Sequence, residues 1–215
     1  MATAINSKVA PKAPAQRGRP RAYDRDTALT RAMNVFWTNG YAATSLDDLS
    51  RAMGMNRPSI YAAFGDKTAL YRQALDHYQT GVRAAIKEAL AEERPLRQAL
   101  GDFYERAIEM YFSGEVSGRG CFMIGTALTE ATTNPELRAT LAKTLQGLDR
   151  LLAARIALGK ERGEVAAEAD PEALGQVASA MLYLLAIQAR AGGTRKSLRA
   201  TMKVALDSIC SSTGA

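Results

Sequence analysis

The side chains of this sequence best suited to chemistry follow a Gly-Met-Asn turn and share one face of a short helix. Residues 56–64 read Asn-Arg-Pro-Ser-Ile-Tyr-Ala-Ala-Phe. Asn56 can cap the helix, and a proline fits its first turn, where no backbone N–H is needed. Ile60 and Phe64, four residues apart, point into a core. The outward residues can bind DNA phosphates and base edges: Arg57, Pro58, Ser59, Tyr61 and Ala62.

Two further helices precede this segment and position it. Thr44 and Ser45 are cap residues ahead of a helix over 46–53, and Gly54 ends it. An earlier amphipathic helix over 24–39 ends at Asn39-Gly40. The order helix, tight turn, helix is that of a helix-turn-helix, whose second helix enters the major groove. We expect the three helices to share one small core.

The two blocks Phe36-Trp37-Thr38-Asn39-Gly40-Tyr41-Ala42-Ala43-Thr44-Ser45 and Ile60-Tyr61-Ala62-Ala63-Phe64-Gly65-Asp66-Lys67-Thr68-Ala69-Leu70 resemble the TetR family of bacterial transcriptional repressors. The resemblance covers roughly residues 22 to 72. It implies an all-α fold with an N-terminal three-helix helix-turn-helix domain and a C-terminal helical domain for ligand binding and dimerisation. It also implies a homodimer that binds a pseudo-palindromic double-stranded DNA operator and is released by a small-molecule effector.

The same resemblance assigns roles to individual DNA-binding residues. Four of them would mainly hold phosphates: Thr44, Ser45, Tyr61 and Lys67. Four would approach base edges: Arg57, Pro58, Ser59 and Ala62. An arginine here can make a bidentate contact with guanine, whereas the proline and the alanine can pack on thymine methyl groups.

Positive charge is concentrated at the N-terminal end of the chain. The whole sequence has 28 Lys and Arg against 22 Asp and Glu, and residues 1–65 hold nine of these cations against four aspartates. Residues 1–21 have no apolar periodicity and are predicted to be a disordered basic arm. Within it, Arg17-Gly18-Arg19-Pro20-Arg21 resembles an AT-hook core, in which Arg19 and Arg21 would enter a narrow minor groove; a solubilising leader is the alternative.

The chain from residue 66 onward is rich in alanine and leucine with helical periodicity. We expect residues 22–66 to form the DNA-binding domain and residues 67–212 the effector-binding and dimerisation domain. The predicted helices of the second domain cover 67–90, 95–113, 121–132, 135–161, 171–191 and 195–210. No signal sequence is recognised, which predicts a cytoplasmic protein.

The last two helices are predicted to form a four-helix interface with their symmetry copies. The stretch 177–187 is apolar on almost every side, but at about 11 residues it is too short to span a bilayer, so we expect no membrane contact. The alternative is that both helices close the core of one chain. The interface residues predicted are Val177, Met181, Leu182, Leu185, Met202 and Leu206.

Aromatic and sulfur-containing side chains are abundant in the middle helices and predict a pocket for a small apolar or aromatic effector. An ordinary core is the alternative for any one of them. The predicted effector-binding residues are Phe103, Tyr104, Ala107, Tyr111, Cys121, Phe122 and Leu148.

Catalytic and metal-binding patterns are weak. His77 is the only histidine, and Cys121 and Cys210 have no CxxC partner. We therefore predict no catalytic residue, no metal, no cofactor and no enzymatic activity. A thiolate at Cys121, favoured by a helix N-terminus and by Arg119, is a minor sensing hypothesis. Two alternatives remain: a helical ligand-binding or enzymatic protein with an incidental basic leader, and an effector-independent DNA binder or activator.

Overall fold

A computed structural model describes residues 24–114 and 116–210, which form helices and loops and contain no strand. The first three helices form the helix-turn-helix unit. The elements in chain order are α1 (Arg25–Asn39), α2 (Leu46–Met53), α3 (Arg57–Phe64), α4 (Lys67–Ala89), α5 (Leu96–Tyr111), a π-helical turn (Met123–Ala127), α6 (Leu128–Glu130), α7 (Pro135–Glu161), α8 (Pro171–Arg190) and α9 (Arg195–Ile209). The predicted all-α fold is confirmed.

Local hydrogen bonds explain where the N-terminal helices begin and end. Ser45 caps α2 in a reciprocal arrangement with Asp48, and the Asn56 side chain accepts from the backbone N–H of Ser59. Gly54 ends α2 with a φ of 65°, a left-handed conformation that glycine adopts without strain. The turn between α2 and α3 is therefore encoded by a few neighbouring residues.

The continuous helix predicted over 121–132 is wrong. Residues Met123–Ala127 form a π-helical turn, and the α-helix after it is only three residues long. The hydroxyl of Thr126 donates to the carbonyl oxygen of Phe122 at 2.8 Å and accepts from the hydroxyl of Tyr71 at 2.7 Å. Such side-chain bonds compete with the regular backbone pattern, and π turns are frequent at functional sites.

The core of the helix-turn-helix unit extends beyond its three helices. Phe36, Trp37 and Ile60 are buried in one apolar cluster with Tyr71 of α4 and Phe122 beside the π turn. The three helices do share one core, as expected, but this core is larger than predicted because residues of α4 and of the π turn belong to it. The same cluster includes residues of the C-terminal part, and α1 packs directly against the π turn.

Helix α5 lies at the centre of the second apolar cluster. It packs against α4, α7, α8 and α9, and Leu100, Tyr104 and Ile108 are fully buried. The hydroxyl of Tyr104 donates to the backbone carbonyl of Ala178 on α8 at 2.9 Å. At the surface, the Arg199 guanidinium pairs with Glu105 and Glu109 and fastens α9 to α5.

Helix α8 leaves an apolar stripe exposed. Val177 is 50 % exposed, Leu184 40 % and Ile187 55 %, and Val204 of α9 is 65 % exposed. The prediction is wrong for two of the interface residues, because Leu185 and Leu206 are buried inside the chain. Met181, Leu182 and Met202 are half-buried against the same core, so the outward stripe contains only Val177 from the predicted set.

The sequence predicted that the apolar stretch 177–187 is too short to span a membrane, but this stretch is part of the longer helix α8. The helix has 20 residues, and by length and composition alone it could cross a membrane, although a third of its apolar window is buried in the chain. A helix packed inside a protein assembly has the same composition. Its inward face packs on α5, α7 and α9, and its outward face carries the exposed apolar stripe, where the sequence predicts contact with a second copy of the chain.

We predict that Ile187→Asp converts a dimer into a monomer, because a carboxylate in an apolar interface loses its hydration without gaining a partner. Sedimentation equilibrium measures the mass of each variant. Val116→Asp is the matched control, since Val116 is 47 % exposed but lies in the loop after α5. Equal masses for wild type and Ile187→Asp would show that α8 does not form the interface.

Candidate DNA interface and ligand cavity

Helix α3 presents the predicted recognition residues on one outward face. Ile60 and Phe64 are buried, whereas Tyr61 is 49 % exposed. Arg57, Pro58, Ser59 and Ala62 are exposed as well. The structure therefore brings the proposed base-reading residues together on one exposed helix face, as a helix that enters a DNA groove requires.

Arg57 does not project freely from this face. Its Nε donates to Asp47 Oδ1 at 3.0 Å and its Nη2 to Asp47 Oδ2 at 2.6 Å. These hydrogen bonds hold the pKa of the Asp47 carboxyl below its usual value. The pair uses the side edge of the guanidinium, so the end that carries Nη1 remains available for a second acceptor.

Two residues predicted to bind phosphates already make hydrogen bonds within the domain. Thr44 is buried, and its hydroxyl donates to the carbonyl of Gly40 at 2.6 Å. Its side chain therefore cannot reach a phosphate, and the proposed role for Thr44 is wrong. Ser45 is exposed, but its hydroxyl donates to the Asp48 carboxylate and accepts from the Asp48 backbone N–H.

Lys67 lies at the start of α4 and is held beside the loop after α1. Its Nζ is 4.5 Å from the centre of the Tyr41 ring and 3.4 Å from the carbonyl oxygen of Ala42. The hydroxyls of Tyr41 and Thr68 are 2.8 Å apart. This cation–π contact fixes the ammonium group close to the recognition face.

The folded part of the DNA-binding unit has little net charge. Residues 24–65 contain four arginines and four aspartates. The basic excess of the N-terminal end therefore lies in residues 1–23. Arg19 and Arg21 are among them and lie outside the described residues.

A cavity of about 250 Å³ lies between α4, α5, α7, α8 and the π turn. Five predicted effector residues line it: Phe103, Ala107, Tyr111, Cys121 and Leu148. Tyr104 and Phe122 do not line it; their side chains are packed in the apolar cores. The wall formed by α4 was not predicted, although its residues recur at helical spacing: Tyr78, Gln79, Val82, Arg83, Ile86 and Ala89.

The expectation of an activated thiolate at Cys121 is wrong. Burial raises the pKa of the Cys121 thiol, and the Tyr78 hydroxyl lies 3.4 Å from Sγ. The nearby cation is directed elsewhere, because the Arg119 guanidinium stacks on the Trp37 ring at 3.8 Å and donates to Asn34. The thiol is therefore largely protonated at neutral pH.

Trp37 connects the recognition unit to the cavity wall. Its indole N–H donates to the carbonyl oxygens of Arg119 at 3.3 Å and Gly120 at 3.1 Å, just before the π turn. The Trp37 ring also packs edge-on against Tyr78, with ring centres 5.2 Å apart. Since Tyr78 lines the cavity, its side chain separates a ligand in the cavity from Trp37 of α1.

Within residues 24–114 and 116–210, no group of His, Cys, Asp and Glu has the geometry of a metal site. His77 Nε2 lies 3.1 Å from the hydroxyl of Thr30 and links α4 to α1. We assign His77 a packing role.

Comparison with known proteins agrees with both parts of this architecture. Residues 28–74 match the N-terminal domain of the family described as bacterial regulatory proteins, tetR family, and residues 95–205 match a tetracyclin repressor-like C-terminal domain. The HTH-type transcriptional repressor ComR of Escherichia coli (strain K12) is 35 % identical over 183 residues, which cover 85 % of this chain and 87 % of that protein.

Solved structures give the same result. A cysteine variant of the TetR family transcriptional regulator CifR, complexed with a 26-base-pair double-strand operator DNA, is 36 % identical with a TM-score of 0.79, covering 89 % of this chain and all of that one. The reduced form of NemR from E. coli shares the fold, with 19 % identity, a TM-score of 0.75 and coverage of 89 % of this chain and 98 % of that one. The chain therefore belongs to the TetR family of bacterial transcriptional regulators.

Proposed function

We propose that this protein is a transcriptional repressor that binds a pseudo-palindromic operator as a homodimer and is released when a small apolar molecule enters the cavity. The observation that carries the proposal is the set of Trp37 contacts, which join α1 of the helix-turn-helix unit to Tyr78 in the wall of an apolar cavity and to the loop before the π turn. The protein acts in this proposal by binding alone, in the cytoplasm, without enzymatic activity. The domain limits proposed are 22–66 and 67–212.

The similar proteins support this proposal. ComR is named a transcriptional repressor, and the CifR structures contain operator DNA. In this chain we assign phosphate contacts to Ser45, Tyr61 and Lys67, and base contacts to Arg57, Pro58, Ser59 and Ala62. A dimer places two such faces on one side of a DNA duplex, which explains a two-fold operator.

Release requires that the ligand binds the DNA-free arrangement more tightly than the DNA-bound one. A ligand in the cavity contacts Tyr78, whose ring packs against Trp37, and Cys121, which directly follows the Gly120 carbonyl bonded by Trp37. Displacing either side chain moves α1 relative to α4. The spacing of the two recognition helices in the dimer then changes.

Selection of bound sequences from a random DNA pool tests the DNA-binding proposal. The expected product is an inverted repeat with half-site centres about one helical turn, or a multiple of it, apart. Enrichment of no sequence, or of a single half-site, would contradict binding as a symmetric dimer.

We predict that Arg57→Ala weakens the free energy of binding to the preferred operator by about 1–3 kcal/mol per half-site. On operator variants that already lack the guanine contacted by Arg57, the same substitution should have little effect. Binding to single-base operator variants measures this difference. Arg51→Ala is the control, since it removes an equal charge from the exposed end of α2. A uniform loss over all variants would show that Arg57 contacts only the backbone.

We predict that Asp47→Ala strengthens binding to unrelated DNA but reduces discrimination by the preferred operator. The substitution removes one negative charge per chain, and it frees the guanidinium that Asp47 holds by two hydrogen bonds. Affinities for operator and for scrambled DNA at one salt concentration give the ratio. An unchanged ratio would mean that Asp47 does not orient Arg57.

We predict that Lys67→Gln lowers the slope of log affinity against log salt by about 0.9 for each phosphate that the side chain no longer neutralises. Fluorescence anisotropy at several salt concentrations measures the slope. Lys143→Gln on the exposed surface of α7 is the matched control. Identical slopes in wild type and Lys67→Gln would show that Lys67 neutralises no phosphate.

We predict that Arg19→Gln with Arg21→Gln weakens operator binding more than Lys8→Gln with Lys12→Gln. Both double variants remove two charges, but only the first pair is proposed to enter the minor groove. The comparison is made on operators flanked by A·T or G·C base pairs. Equal losses on both flanks would support the alternative of a solubilising leader.

We predict that operator DNA slows the alkylation of Cys121 several-fold and that Trp37→Phe reduces this effect. Phenylalanine keeps an aromatic ring but removes the N–H that bonds the Arg119 and Gly120 carbonyls. Rates are measured by mass spectrometry in a Cys210→Ser background. Because burial raises the thiol pKa, the rates increase toward high pH, where the thiolate forms. Equal protection in both proteins would exclude Trp37 from the coupling.

A further inference from the structure

The cavity contains one buried polar group that packing does not explain. Gln79 on α4 lines the cavity and is only 8 % exposed. Its Oε1 accepts a hydrogen bond from Arg83 Nη2 at 3.0 Å. Because the oxygen is fixed by this donor, the amide nitrogen occupies the other position.

That amide nitrogen has no hydrogen-bond partner. Among the described residues, no acceptor lies within hydrogen-bonding distance of Gln79 Nε2, and the atom is inaccessible to solvent. A buried donor without a partner destabilises the folded protein, so such groups are rare in packed cores. A glutamine in this position is therefore better explained by a bound molecule than by stability.

A second buried polar group, a hydroxyl, belongs to another helix of the cavity wall. Tyr183 on α8 lines the cavity, and its hydroxyl has that of Ser179 as its neighbour on the same helix. Ser179, one turn earlier, donates its own hydroxyl to the carbonyl of Gly175. The other contacts offered by the cavity are mainly carbon and sulfur, from residues such as Val82, Phe103, Met110 and Leu148.

The charged residues of the cavity wall have other partners. Arg83 donates to Gln79, and Arg106 forms a two-bond ion pair with Glu88. Among the described residues, no aspartate or glutamate lines the cavity. A cationic ligand would find no counter-ion in the cavity wall, and the cation that could pair with an anion, Arg83, is exposed to solvent and not enclosed in the interior.

We propose that the effector is a small, neutral, largely apolar molecule with one accepting oxygen, such as a ketone, which Gln79 Nε2 holds with Tyr183 as a second donor. The volume of about 250 Å³ lies at the small end for ligand pockets. The word effector rests on the proposed function, but binding itself is measured without DNA. A failure of operator release therefore leaves this test intact.

Matched pairs of probes isolate the accepting oxygen. Acetophenone and α-methylstyrene differ by an oxygen in place of a methylene group, as do cyclohexanone and methylenecyclohexane. Titration calorimetry or ligand-observed NMR with the DNA-free dimer gives each affinity. For at least one pair we expect the ketone to bind about five- to tenfold more tightly, the value of one buried hydrogen bond.

The Gln79→Met variant supplies the decisive comparison. It keeps the length of the side chain and removes the donor, so the preference for the ketone should disappear. It should also raise the melting temperature of the ligand-free protein, because an unpaired buried amide is removed. Gln146→Met on the exposed surface of α7 is the matched control and should change neither quantity. Tyr183→Phe should reduce the preference without changing the fold.

Several outcomes would overturn the proposal. One is a ketone preference that persists in Gln79→Met, and another is a wild-type protein that binds neither ketone. Tighter binding of benzoate than of acetophenone would show that the site takes an anion, with Arg83 as its partner. Equal affinity for the two members of each pair would show that the cavity recognises shape alone.

Discussion

The arrangement of this protein depends on one buried indole. Trp37 lies in α1, yet its N–H is shared by two carbonyl groups more than eighty residues later in the chain. Its ring is covered by the Arg119 guanidinium and packs against Tyr78 and Phe122. A polar group buried this deeply requires its partners. The orientation of the helix-turn-helix unit is therefore tied to the loop that enters the π turn.

The same region forms the wall of the cavity, and the wall departs from ideal packing in two ways. A π turn replaces regular helix beside Cys121, and the Gln79 amide nitrogen has no partner among the described residues. Both features make this wall less stable than the cores on either side of it. Regions of low local stability are where ligand-dependent transitions occur. In the proposed function, a ligand that satisfies the amide acts on the same wall that Trp37 contacts through Tyr78.

Specificity and electrostatic attraction are separated along the chain. The folded recognition unit carries balanced charge, and its exposed arginine is oriented by Asp47. The basic excess of the N-terminal part lies in residues 1–23, and the next cation after the unit is Lys67, which makes a cation–π contact with the Tyr41 ring. Changes in either part should therefore affect affinity and base preference differently.

The sequence by itself determined the features that depend on neighbouring residues. The caps at Ser45, Asn56 and Asp66 set the beginnings of α2, α3 and α4, and the spacing of Ile60 and Phe64 indicated the buried face of the recognition helix. Helix ends and helical faces are set within one or two turns of chain. The pattern of apolar residues was sufficient for them.

Only the tertiary structure decided which side chains meet across long stretches of chain. Leu185 and Leu206 have the same character as Val177 and Ile187, but packing on α5, α7 and α8 buries the first pair and leaves the second exposed. Thr44 was assigned a phosphate contact by resemblance and Cys121 a thiolate from its local context, and the burial of each side chain in the fold reversed both assignments. The role of Gln79 could not be predicted from the sequence, because whether a buried donor has a partner depends on the side chains that the whole fold places around it.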